Sequence, residues 1–194
     1  MNAANVISNA STYVDEWSLA TFFGRAMYDY DGKYLFTASL RRDGSSKLFQ
    51  KWTTIPSFSA GWRISSESFM EGIDVIDDLK LILSWGKVGN QDGLPGNYLA
   101  YGLTTYTRDT PSSPLNGPTV SQSTIGNPDL TWELTNQTNI GLDISVLKAR
   151  ITLRADAYIK KTNNLILDVD LPSSVGEVSN IITNGGKIEN KGLE

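Results

Sequence analysis

The chain has 194 residues, 40% hydrophobic and 20% charged, with no cysteine and no histidine, which excludes a disulfide framework, a thiolate nucleophile, a histidine-ligated metal and a Ser-His-Asp triad. A net charge of -4, with basic residues scattered along the chain, argues against nucleic acid. No apolar run reaches about eighteen residues, so no helix spans a membrane, and the N-terminus lacks the basic start and apolar middle of a signal peptide.

Residues 1–16 are small and polar without a period, and are expected to form a loop or a disordered end. Residues 17–29 and 33–42 alternate. Tyr34, Phe36, Ala38 and Leu40 share one face, while Lys33, Leu35, Thr37, Ser39 and Arg41 share the other, which is the period-two pattern of a strand. Phe22, Gly24, Ala26 and Tyr28 oppose Phe23, Arg25, Met27 and Asp29 in the same way. A two-residue loop at Asp31 and Gly32 would put Arg25 and Asp29 on the apolar face. A three-residue loop, 30–32, pairs Asp29 with Lys33 and keeps every charge on one side, with Gly32 free to turn left-handed. This hairpin therefore has one face fit for hydrocarbon and one fit for water.

A polar connection, 43–55, precedes a third strand over 56–64, where Phe58, Ala60 and Trp62 oppose Ser57, Ser59, Gly61 and Arg63. Residues 65–78 break the period, and their Glu67, Glu71, Asp74, Asp77 and Asp78 suit a solvated connector. A fourth strand, 79–88, sets Leu79, Leu81, Leu83 and Trp85 against Lys80, Ile82, Ser84 and Gly86. Gly, Pro, Asn, Ser and Thr then dominate 89–130, a length normally reserved for a functional or disordered loop. Strands over 131–146 and 151–160 follow, with Leu142 and Leu153 on the apolar parity and Asp143, Arg154 and Asp156 on the polar one. Residues 162–183 are expected to form another long excursion, and 184–194 to begin a seventh strand.

Shorter and longer connections thus alternate, so one end of an up-and-down sheet carries trimmed turns and the other elaborate loops, the layout of an outer-membrane barrel. Tyr28, Tyr34 and Trp62 fall toward the short-turn end and Trp85 and Trp132 toward the long-loop end, as two interfacial girdles would. The fold class expected is all-β: antiparallel up-and-down strands forming part of a large transmembrane β-barrel. On that register Arg25, Arg41, Arg63, Lys80, Asp143, Arg154 and Asp156 face the lumen. The alternative on periodicity is a soluble β-sandwich acting as a ligand-binding module, which alternates in the same way.

The segments KYLFTASLRRDGSS, IPSFSAGWRIS, FMEGIDVIDDLKLILSWGKVGNQD, NPDLTWELTNQTNIGLDISVLKARITLRADAYIKKTNNLIL and LPSSVGEVSNIITNGGKIENKGLE resemble, in order, the late barrel of the SusC/RagA family of TonB-dependent outer-membrane transporters. The resemblance covers nearly everything after Phe22. It implies residence in the cell outer membrane of a Gram-negative, Bacteroidota-like organism, and import of a glycan or oligopeptide captured with a SusD-like surface lipoprotein. Family members also have a plug domain, a TonB-contacting segment and about 22 strands. This chain shows six or seven strands over 17–194 and no plug, so the TonB complex would engage parts of a parent chain not present here.

Chemistry-bearing motifs are sparse. Asp29 with Asp31, and Asp168 with Asp170, do not continue into a calcium loop and fit turn or exposed carboxylates, so neither metal nor cofactor is expected. Paired carboxylates for a hydrolase are not marked out beyond Glu133 and Asp143, and the chain is expected not to be an enzyme. In the long loop, Tyr98, Tyr101 and Tyr106 are candidates for stacking on sugar rings or for packing the loop itself.

Overall fold

The period-two pattern is realised as one sheet. The computed structural model describes residues 14–94, 96–97, 102–107, 119–175 and 178–194. Its strands are β1 (Leu19–Tyr30), β2 (Tyr34–Ser45), β3 (Trp52–Arg63), β4 (Ile76–Asn90), β5 (Leu103–Thr107), β6 (Thr119–Thr124), β7 (Glu133–Val146), β8 (Ile151–Asp170) and β9 (Asn180–Leu193). A 7-stranded sheet runs β1-β2-β3-β4-β7-β8-β9 with every neighbour antiparallel, and β5 and β6 pair separately within the longest connection. No helix among the described residues is long and apolar enough to cross a membrane.

The register carries the two faces unbroken across the sheet. Tyr30, Tyr34, Trp62, Leu81, Leu142 and Ala155 stand in one row, and Tyr28, Phe36, Ala60, Leu83, Ile140 and Ala157 in the next. The row beyond, Ala26, Ala38, Phe58, Trp85, Thr138 and Ile159, completes the apolar band toward the long-loop end. The opposite face carries Met27, Thr37, Ser59, Ser84, Asn139 and Tyr158 in register. Among the described residues no second sheet covers the apolar face. Phe36 is 49% exposed and Phe58 54%, which a sandwich would bury.

Three sequence expectations are corrected. The first hairpin pairs Tyr30 with Tyr34 rather than Asp29 with Lys33, so its loop is 31–33, with Asp31 and Gly32 both left-handed. A register shift of two residues leaves the parity of every side chain intact, because side chains repeat every two residues. Strands also run farther toward the long-loop end than expected. β2 continues to Ser45 and β3 starts at Trp52, leaving 46–51, while β8 continues to Asp170 and β9 starts at Asn180, leaving 171–179. Asn164 and Gly186 are both left-handed and sit between the Asn163–Lys187 and Leu165–Gly185 pairs, so the kink is absorbed within one ladder. In consequence 46–51 is shorter than the 64–75 connection at the other end, and strict alternation of loop length fails there.

The third correction concerns Trp132, expected in an interfacial girdle. It is 3% exposed, packed with Leu48, Leu94, Leu130 and Ile182, and its indole N–H donates to Lys51 O at 3.0 Å. This cluster, at the long-loop end, is where the described residues are most fully buried. The sheet itself has little core because, among the described residues, no second layer packs on it.

Candidate functional site

All seven charged residues expected to face a lumen lie on one face of the sheet. Arg63, Lys80, Asp143 and Arg154 stand in a single cross-strand row. Arg154 lies 2.7 Å from Asp156 and 3.7 Å from Asp143, and Arg63 3.5 Å from Asp78. Gly141 opposes Asp156, and a Cβ there would come within 2.6 Å of the Asp156 carboxylate, so any larger residue would push that carboxylate aside. Arg41 donates to Asp43 at 2.8 Å. Arg25 pairs across strands with Ser39, whose hydroxyl shares a hydrogen bond with Ser57, and Gly86 and Gln137 continue that row.

The face therefore offers guanidinium, ammonium, carboxylate, amide and hydroxyl groups side by side. Gln137, Asn139, Tyr158 and Lys160 line a polar depression of about 560 Å³ beside Arg154 and Asp156. This set suits weak, distributed hydrogen bonding to a polar solute, and shows no nucleophile held by a base. No cluster of metal-ligating residues occurs among the described residues. The Asp29 carboxylate accepts from the Gly32 N–H at 2.7 Å, which accounts for it as a turn residue.

At the long-loop end the connections are stapled to the sheet. Asn184 accepts from the Thr131 N–H at 2.7 Å and donates to Thr131 O and Asn164 O at 2.9 Å each. Asn127 donates to Ile182 O at 2.9 Å, and Thr135 and Thr162 share a buried hydrogen bond. Tyr98 and Tyr101 lie outside the described residues, and Tyr106 lies in β5 opposite Val120.

The connector 64–75 is more than a solvated acidic stretch. Glu67 accepts from the Tyr34 hydroxyl at 2.7 Å and the Trp62 indole at 3.0 Å, with Lys33 at 3.8 Å. The Tyr34 hydrogen bond, then that from Trp62, holds its carboxyl below the usual range. Asp77 accepts from the Ala149 N–H at 2.9 Å, tying the connector's end to the β7–β8 turn. The Tyr34–Glu67 and Asp77–Ala149 bonds join residues more than thirty positions apart. Sequence offered one weak signal, an outward-parity tryptophan and tyrosine near a run of acids.

The sequence matches the family described as "TonB dependent receptor-like, beta-barrel" over residues 2–194. It is 42% identical to TonB-dependent receptor P26 of Formosa agariphila, covering 92% of this chain and 18% of that protein. It is 35% identical to TonB-dependent receptor SusC of Bacteroides thetaiotaomicron, covering 95% and 19% respectively. Among solved structures, the RagAB peptide transporter matches with a TM-score of 0.84 at 30% identity, over 99% of this chain and 21% of that one. The chain thus spans about a fifth of the length of the relatives it matches.

Proposed function

The chain belongs to the TonB-dependent receptor-like β-barrel family of the outer membrane, and from that premise we propose that it forms part of the wall of a SusC/RagA-type importer. The observation that carries the reading is the two-faced sheet: an apolar band continuous over six strands, backed by a face on which charges pair with one another. Strands alternating in this way, with one face in lipid and one around a polar interior, are what a transporter wall requires. Seven strands leave two unpaired edges, which in a bilayer must be closed by further strands.

On this reading Arg25, Arg41, Arg63, Lys80, Asp143, Arg154 and Asp156 line the lumen. The connections 46–51, 91–132 and 171–179 face the cell exterior, where a SusD-like lipoprotein docks and Tyr98, Tyr101 and Tyr106 come within reach of cargo. SusC and the RagAB peptide transporter support a glycan or an oligopeptide as that cargo. Energy coupling through TonB belongs to segments outside this chain.

Two measurements test the reading. A tag at Ser113 should be labelled on intact cells, and labelling only after the outer membrane is broken reverses the topology. Deleting the gene should abolish growth on one class of cargo, glycan or peptide, and unchanged growth on both removes the importer assignment.

A further inference from the structure

Basic residues that are scattered in sequence are gathered by the sheet on the apolar-parity face, just beyond the band at the long-loop end. Lys87, Asn136 and Lys161 are direct cross-strand neighbours on β4, β7 and β8. Lys187 stands one row farther out, opposite Asn163, and Arg42 lies over the Trp52 ring at 5.5 Å. Glu189 is the acid of this belt. It is shared by Lys161 at 3.0 Å and Lys191 at 2.6 Å, while Lys87 and Lys187 make no ion pair among the described residues. At the opposite end of the same face Glu67 sits against Tyr34 and Trp62, with Lys33 at 3.8 Å.

Directly below Lys87 on the same face of β4 is Trp85, stacked on Phe58 with centroids 5.9 Å apart. This pair walls an apolar groove of about 600 Å³ floored by Ala38 and Ala60 and closed by Tyr28 and Phe36. Small side chains between aromatic walls leave room for a hydrocarbon chain, and the lysines sit where its head group would emerge. Neighbouring strands are about 4.8 Å apart, so Lys87 and Lys161 are roughly 10 Å apart at the backbone, a gap two lysine side chains close around one phosphate.

We propose that this belt and groove bind a phosphorylated lipid of the outer leaflet, its phosphate held by Lys87, Asn136 and Lys161 and an acyl chain lying against Phe58 and Trp85. The leaflet follows from the orientation proposed above and rests on it; the recognition of phosphate does not. A charge belt at this depth meets head groups whatever the transporter carries, and among the described residues no carboxylate pairs with the Lys87 ammonium.

The test is native mass spectrometry of the full-length protein with phosphorylated lipid A, the same lipid dephosphorylated, and inorganic phosphate as competitor. The protein should retain the phosphorylated lipid and release the dephosphorylated one. Removing one lysine at an anionic lipid surface costs about fivefold, so K87Q/K161Q should lower retention roughly 25-fold, with K148Q at the other end unchanged. Ala60→Phe, which fills the groove, should weaken lipid retention while both lysines remain. Equal retention of the dephosphorylated lipid, no loss in K87Q/K161Q, or displacement by millimolar inorganic phosphate would overturn the inference. Reversed labelling at Ser113 sinks the orientation instead and with it the outer-leaflet assignment, leaving the phosphate discrimination to be judged on its own.

Discussion

Replacing Leu142 with arginine separates a lipid-facing sheet from every alternative, because Leu142 sits at the centre of the apolar band. Its own strand presents Thr138, Ile140, Leu142, Ile144 and Val146 on that face. At ~3.3 Å per residue, Thr138 to Val146 spans roughly 26 Å along the strand. A tilt of about 40° reduces this to about 20 Å of depth, and side-chain reach brings it to the ~25 Å band of outer-membrane barrels. Leu142 thus lies about 10 Å from either edge, too deep for its replacement to reach head groups without distorting the bilayer. The expected cost is about 2–4 kcal/mol for L142R. Ser84→Arg is the paired control, since Ser84 stands between Ser59 and Asn139 on the polar face and should lose less than about 1 kcal/mol. Urea titrations of the full-length protein folded into vesicles, followed by tryptophan fluorescence, give both values. Equal costs, or a larger cost for S84R, would refute the assignment of faces.

Glu67, in the connector outside the spanning strands, has a depressed carboxyl, so its contribution is present above the unfolded value of about 4.3 and is lost as pH falls through the lower folded value. Trp62 fluorescence should shift in that acid window, and Glu67→Gln should remove the transition; a shift that persists in the variant assigns it elsewhere. Asn184→Ala strips three hydrogen bonds from the backbone of Thr131 and Asn164. Loss of this clamp should cost about 1–3 kcal/mol locally and raise amide exchange at Leu130 and Thr131, and unchanged exchange would show that the clamp is idle. Leu147, Lys148 and Ala149 are all left-handed without a glycine among them. Lys148→Gly should therefore stabilise the β7–β8 turn by roughly 0.5–1 kcal/mol net of glycine's backbone entropy, and a lowered melting temperature would contradict the strain.

Which residues share a face was legible in the chain, because a strand's side chains alternate at period two and a misplaced register of two residues leaves that parity untouched. Leu81 and Leu142 could be set opposite Lys80 and Asp143 before any pairing was known, and the resemblance to TonB-dependent transporters rested on those same segments. The ends of the strands were not legible. Near the long-loop rim both faces carry polar residues, so alternation fades although the ladder continues, as through Asn164 and Gly186. Nor could parity find contacts between distant segments. Trp132 looked like a girdle residue from its place in the chain, and only folding brings Leu48, Leu94, Leu130 and Ile182 around it. Glu67 meets Tyr34 and Trp62, and Lys87 and Lys161 gather beyond the apolar band, for the same reason. Burial, hydrogen bonding and charge density depend on which strands lie side by side, and that order is fixed by closure of the backbone ladder, not by any single stretch of sequence.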